Sequence, residues 1–198
     1  MNVTFQSWMQ AVWTTIMEPS ATAEQALTFQ VPRNALWSAL ALTAVLNVLF
    51  VVTLQYISST PIAMQDQILP ATPFGYLAMV GIFLVTFVFA LSHLGRMLGG
   101  GGTLDGTLTI MVWFQAVSLT LEAVQMVLVL ISPAIAALFG MLALGALIWC
   151  FINFIKVLHG FDNLIKTAVV VAMALIATAL LSSIFLTVFG ITNAGGTI

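Results

Sequence analysis

Charge is scarce in this chain. Its 198 residues hold four Lys+Arg and six Asp+Glu, 5% of the total, against 62% apolar residues. An ordinary soluble domain is about 25% charged and about 45–50% apolar. Ten charged side chains cannot cover the exterior of a soluble fold of this length, and so much apolar surface does not stay disordered in water. Four cations cannot neutralise a phosphate backbone, so a nucleic-acid binder is excluded as well. An integral membrane protein remains.

Other scarcities narrow the chemistry. A single cysteine allows no internal disulfide, and Cys150 lies inside an apolar run, as a small core residue does. There are two histidines, His93 and His159, both far in sequence register from the intramembrane serines Ser118, Ser182 and Ser183. No nucleophile, base and orienting group are brought together by spacing, so the expectation is a protein that is not an enzyme, with no catalytic residue, cofactor or metal. The first 30 residues carry no Lys or Arg, so no cleaved signal peptide is expected. The two halves do not repeat one another, against an inverted-repeat transporter.

Long apolar runs are what the chain has. Five stand out, at 34–57, 74–98, 107–131, 134–156 and 164–190. Each exceeds the ~20 residues a helix needs to cross ~30 Å of hydrocarbon. Backbone groups in lipid must be satisfied within the segment, so the runs are helices; a barrel would show short alternating strands. Turn chemistry separates them: Ser58-Ser59-Thr60-Pro61 through Pro70 and Pro73, Gly99–Gly102, Ser132-Pro133 and His159–Asn163. The Ser132-Pro133 joint is short enough to demand an antiparallel hairpin. The expected fold is all-α: a bundle of five transmembrane helices over 31–198, preceded by a cytoplasmic or interfacial amphipathic segment over 1–30.

Orientation follows from the cations. With five spans, Arg33, Arg96, Lys156 and Lys166 all fall on one side, and the loop 58–73, the Ser132-Pro133 turn and the tail after Gly190 carry none. The positive-inside rule puts the N-terminus and the cation-bearing loops in the cytoplasm and the C-terminus outside. Dropping or merging a span would scatter the cations over both sides.

In the N-terminal segment Phe5, Trp8, Met9, Val12, Trp13 and Ile16 share one helical face, with Gln6, Gln10 and Thr14 opposite. This helix ends near Glu18-Pro19. It either lies on the cytoplasmic leaflet or packs against the cytoplasmic ends of the bundle.

Few polar residues fall inside the spans. Glu122 is the only acid there. An acid near the membrane centre costs ~2.5–3.5 kcal/mol if charged, so it is protonated or hydrogen-bonded. Gln115, Ser118, Glu122 and Gln125 recur at spacings that share a helix face, with Asn47, Trp149 and Asn153 as candidate neighbours. They form either a solute, proton or partner site, or hydrogen-bonding glue between helices. His93 and Arg96 end span two; His159 and Asp162 follow span four. These are either a metal or proton-relay cluster or interfacial capping and snorkelling. Gly99–Gly102 before Thr103 and Asp105 lacks the Lys-Ser/Thr of a phosphate loop and reads as a turn with an N-cap. Ala174, Thr178 and Ser182, and likewise Ala136 and Gly140, let backbones approach closely.

Several stretches together carry a resemblance: Glu18-Pro19-Ser20, Pro32-Arg33-Asn34-Ala35-Leu36-Trp37, Gly95-Arg96-Met97-Leu98 followed by Gly99–Gly102 and Thr103-Leu104, Trp113-Phe114-Gln115, and His159-Gly160-Phe161. In this order the chain resembles the Yip domain family, the Ypt-interacting membrane proteins, and its bacterial members in particular. The resemblance implies five spans, a cytoplasmic N-terminus and an exposed C-terminus. Eukaryotic members are associated with Rab-type GTPases and vesicle traffic; this chain lacks the long cytoplasmic N-terminal region of many of them. The family supplies no catalytic residues. The resulting expectation is a non-enzymatic membrane protein acting through contacts with lipids, other membrane proteins or itself. A small-solute or proton transporter using Glu122 is the alternative.

Overall fold

The computed structural model describes residues 4–57 and 73–188. Residues 58–72 and those from 189 on, where the first-loop and tail readings fall, lie outside them. Among the described residues there is no strand.

Helix α1 (Phe5–Met17) starts at a capping box: Thr4 Oγ1 accepts from the Ser7 backbone N–H and the Ser7 hydroxyl accepts from that of Thr4. It stops at Glu18 because Pro19 cannot continue the backbone ladder. Pro19 instead takes the first position of α2 (Pro19–Thr28), where its missing N–H costs nothing. The sequence reading has no second helix here. The buried face of α2 is Pro19, Thr22, Ala23 and Ala26, too small and weakly apolar to raise a hydropathy signal.

Five long helices follow: α3 (Arg33–Ile57), α4 (Pro73–Met97), α5 (Leu104–Ile131), α6 (Pro133–His159) and α7 (Leu164–Val188). Each is long and apolar enough to cross a membrane. The chain is thus an all-α, five-span protein led by shorter helices. Caps extend two spans beyond their apolar runs. Thr103 Oγ1 accepts from the Gly106 N–H and starts α5 before residue 107. Gly160, at φ +65°, closes α6 after His159, with the Phe161 N–H bonded to the Lys156 carbonyl at 3.0 Å. Between α5 and α6 only Ser132 intervenes, and the two pack as an antiparallel hairpin.

The closest pairings are α4 on α7, α3 on α5, α5 on α6 and α2 on α6. This antiparallel order gathers Arg33, Arg96, Lys156 and Lys166 at one end of the bundle, hereafter the cation end. Leu91, Leu108, Ile110, Phe154 and Ile155 are fully buried. A run of rings crosses the interior from Phe83 to Phe87 (5.7 Å), Phe87 to Phe151 (5.7 Å) and Phe151 to Phe114 (4.8 Å). Elsewhere large apolar side chains face outward, Met141 and Leu142 being 74% and 75% exposed. Lipid tails are as apolar as leucine, so burial against protein brings no hydrophobic gain in a bilayer; close packing and interhelical hydrogen bonds must hold the helices together.

Helices α1 and α2 run antiparallel to α5. Leu27 meets Gly106, Ser20 donates to Asn153 Oδ1 (3.3 Å), Trp113 Nε1 donates to Thr15 Oγ1 (3.2 Å), and Trp8 Nε1 donates to Thr120 Oγ1 (3.1 Å). Cys150 Sγ of α6 also donates to the Thr15 carbonyl at 3.4 Å, so the helix packs on the bundle along both α5 and α6 rather than only against its cation end.

Candidate functional sites: an interhelical polar seam and a glycine-caged histidine

The polar stripe of α5 splits between two neighbours. Asn47 Nδ2 of α3 donates to Glu122 Oε1 at 3.4 Å. Gln115 lines a cavity of about 350 Å³ between α3, α4 and α5, with Asn47, Met79, Phe83, Phe87 and Phe114. Gln125 turns the other way, toward α6: its Nε2 reaches the Ala136 carbonyl at 3.5 Å, and its carboxamide occupies the space beside Gly140. Ser118 is buried. Helical spacing explains the division, since Gln115 and Glu122 lie almost two full turns apart on one line while Ser118 and Gln125 sit displaced from it. Of the candidate neighbours, Asn47 meets Glu122. Asn153 does not; it donates to the Trp149 carbonyl (2.8 Å) and accepts from Ser20 of α2.

At the cation end the two histidines part. His93 is on the exposed face of α4, as is Arg96. His159 is 3% exposed. Among the described residues no three His, Cys, Asp or Glu side chains come together as a metal site would need. His159 sits instead in a cage of glycines. A Cβ added to Gly100 or Gly102 would come within 2.6 Å of His159 side-chain atoms, and one on Gly95 would overlap the imidazole outright. The Gly101 N–H donates to the His159 carbonyl at 3.0 Å. Phe161 stacks on the ring at 5.3 Å, and Lys166 Nζ lies 4.7 Å from the centre of the Phe161 ring. Among the described residues neither imidazole nitrogen has a hydrogen-bond partner; the Leu91 carbonyl lies nearby, outside hydrogen-bond geometry.

Two further features of this end escaped sequence reasoning. Arg33 grips Asp105 through Nε to Oδ1 and through Nη2 to Oδ2 at 2.9 Å, tying the start of α3 to the start of α5. A cavity of about 370 Å³ opens beside it, lined by Phe29, Gln30, Gly102, Thr103, Asp105 and Leu158. At the start of α7 it is Asn163, not Asp162, that caps, through Oδ1 to the Ile165 N–H at 2.8 Å.

The caged histidine joins two sequence segments, Gly95–Leu104 and His159–Phe161. Both lie within the stretch 13–186 that matches the family model for the Yip1 domain. The chain belongs to the Yip1 domain family. The comparisons matched no curated protein and no solved structure. In this Yip1-domain chain the glycine-rich joint between α4 and α5 is therefore a socket for the end of α6, which accounts for glycine at Gly95, Gly100 and Gly102 by space alone. The match opens within α1 and closes within α7, so Gln6 and Gln10 stand outside it.

Proposed function

We propose that this Yip1-domain protein is non-enzymatic and acts through contacts with lipids, with other membrane proteins and with itself. The supporting observation is that the acid and the long carboxamides inside the spans tie helices together: Glu122 to α3, Gln125 to α6 and Asn153 to α2. The surface beyond them is large and apolar. By the positive-inside rule the cation end faces the cytoplasm of a bacterial cell and the C-terminus lies outside. Segment 1–30 then enters from the cytoplasmic side. Affinity purification from native membranes in mild detergent is expected to return a reproducible partner, or the protein itself. Recovery of neither would count against this reading.

A second reading rests on the cavity beside Asn47 and Gln115, adjacent to Glu122. In it the protein moves a small solute or protons. Purified protein in liposomes would then show flux above empty liposomes, abolished by Glu122→Gln. Absence of flux from the intact protein removes it.

A further inference from the structure

The α1 register on α5 has a consequence for the membrane. Trp8 meets Thr120 and Thr15 meets Trp113, so Gln10 is level with Ser118 and Gln6 with Glu122. Helix α5 has 28 residues, about 42 Å at 1.5 Å per residue, and Ser118 is near its middle. Seated on α5 in this way, α1 enters the hydrocarbon and carries Gln10 to about the bilayer midplane.

At that depth the outer face of α1 is unusual. Phe5 and Trp13 are 81% and 63% exposed, as suits lipid, but Gln6, Gln10 and Thr14 are exposed beside them at i, i+4 and i+8. Neither glutamine side chain has a hydrogen-bond partner among the described residues. Lipid tails offer none, and a carboxamide near the midplane is too short to reach water. Something else in the membrane must satisfy it.

We propose that the Gln6–Gln10–Thr14 stripe is a self-association seam, on which the same stripe of a second copy docks. The chemistry selects that occupant. A carboxamide carries both donor and acceptor, so it is its own complement. The stripe has no charge that would favour a charged partner. Two copies with the same membrane orientation, related by a two-fold axis along the membrane normal, place Gln10 opposite Gln10. Gln6 and Gln10 precede the residues matched to the Yip1 domain, and Thr14 falls just inside them, so the two carboxamides of the seam lie outside the family stretch. The seam rests on the contact reading above and names the partner.

The test is cysteine cross-linking of the full-length protein in native membranes. The native Cys150 is buried and gives a silent background. Gln10→Cys under mild oxidation is expected to yield a species of dimer mass, while Leu142→Cys, on the exposed face of α6, yields none. Gln10→Cys is also expected to resist a water-soluble maleimide until detergent and denaturant are added. In liposomes, single-molecule photobleaching of the Gln6→Leu/Gln10→Leu double variant is expected to show self-dissociation raised at least tenfold. Maleimide labelling at the rate of a free thiol, no dimer from Gln10→Cys, or dimers untouched by the double variant would each overturn the seam. Self-association that ignores the double variant, or capture of a different membrane protein alone, would leave the contact reading standing. Loss of every partner, self included, would remove both.

Discussion

The two ends of this bundle are held differently. At the cation end, backbones come close enough for a buried imidazole to touch three glycines, helix ends are capped, and an arginine–carboxylate fork links α3 to α5. Further along, the α5–α6 hairpin turns Val127, Leu130, Ile131, Leu138, Met141 and Leu142 outward. Water favours burial of apolar side chains anywhere, but lipid does not. The contrast shows where a membrane bundle is specified: at sites of steric fit and hydrogen bonding, not wherever leucines are dense. Substitutions with the same chemistry should therefore differ sharply with position.

The largest effect is expected at the socket. Gly95→Ala drives a methyl into the His159 ring, which is walled in by Gly100, Gly102 and Phe161 and cannot retreat. Overpacking of this kind costs about 1–3 kcal/mol. Thermal unfolding in detergent should show the loss. Adding His159→Ala should restore much of it, because the clash partner is gone; simple additivity of the two substitutions would show that the ring is not what Gly95 accommodates.

How much of this was legible beforehand divides along the same line. Span number and class follow from apolar runs, because a helix must be long to cross lipid. The gathering of Arg33, Arg96, Lys156 and Lys166 at one end follows from antiparallel threading. The glycine run reads as a turn, but that it receives His159 depends on a contact between segments about sixty residues apart, which no local pattern carries. Thr103 and Asp105 both read as N-cap candidates; Thr103 takes that role and leaves Asp105 to Arg33, a pairing between segments 72 residues apart that no local pattern carries. Asn47 is a sound choice of neighbour for Glu122 because both lie well inside their spans. Asn153 is not, since α2, an element without an apolar signature, had already claimed it. The register of α1 along α5 is invisible for the same reason: amphipathicity gives the face of a helix and not the depth at which it is seated.

A smaller effect is expected at the seam, and it is asymmetric. Interhelical hydrogen bonds in membrane bundles average ~0.6 kcal/mol and reach ~1.7. Glu122→Leu leaves only an amide unpaired. Asn47→Leu leaves a carboxyl group unpaired, the costlier group to strand in hydrocarbon. Reversible unfolding in bicelles should rank Asn47→Leu as the more damaging. Equal effects would mean that the 3.4 Å contact is incidental.

Weaker still is the Arg33–Asp105 fork, because both side chains are about half exposed at a water-facing end, where solvent and salt screen the pair. Arg33→Gln should lower stability measurably at low ionic strength and hardly at all in high salt. A loss independent of salt would instead assign Arg33 a packing role along its apolar stem.

The last case reverses sign. Gly145 is in the middle of α6, and an added Cβ there meets nothing within 4 Å. Glycine inside a helix costs roughly 0.5–1 kcal/mol relative to alanine, since its unfolded backbone has more freedom to lose. With no neighbour to disturb, Gly145→Ala should leave unfolding unchanged or raise it by up to that amount, while the identical change at Gly95 lowers it. If Gly145→Ala instead destabilises the purified protein in a lipid bilayer but not in monomeric detergent micelles, then another protein surface rests on α6 there, and the apparent lipid face is a second place where copies or partners meet.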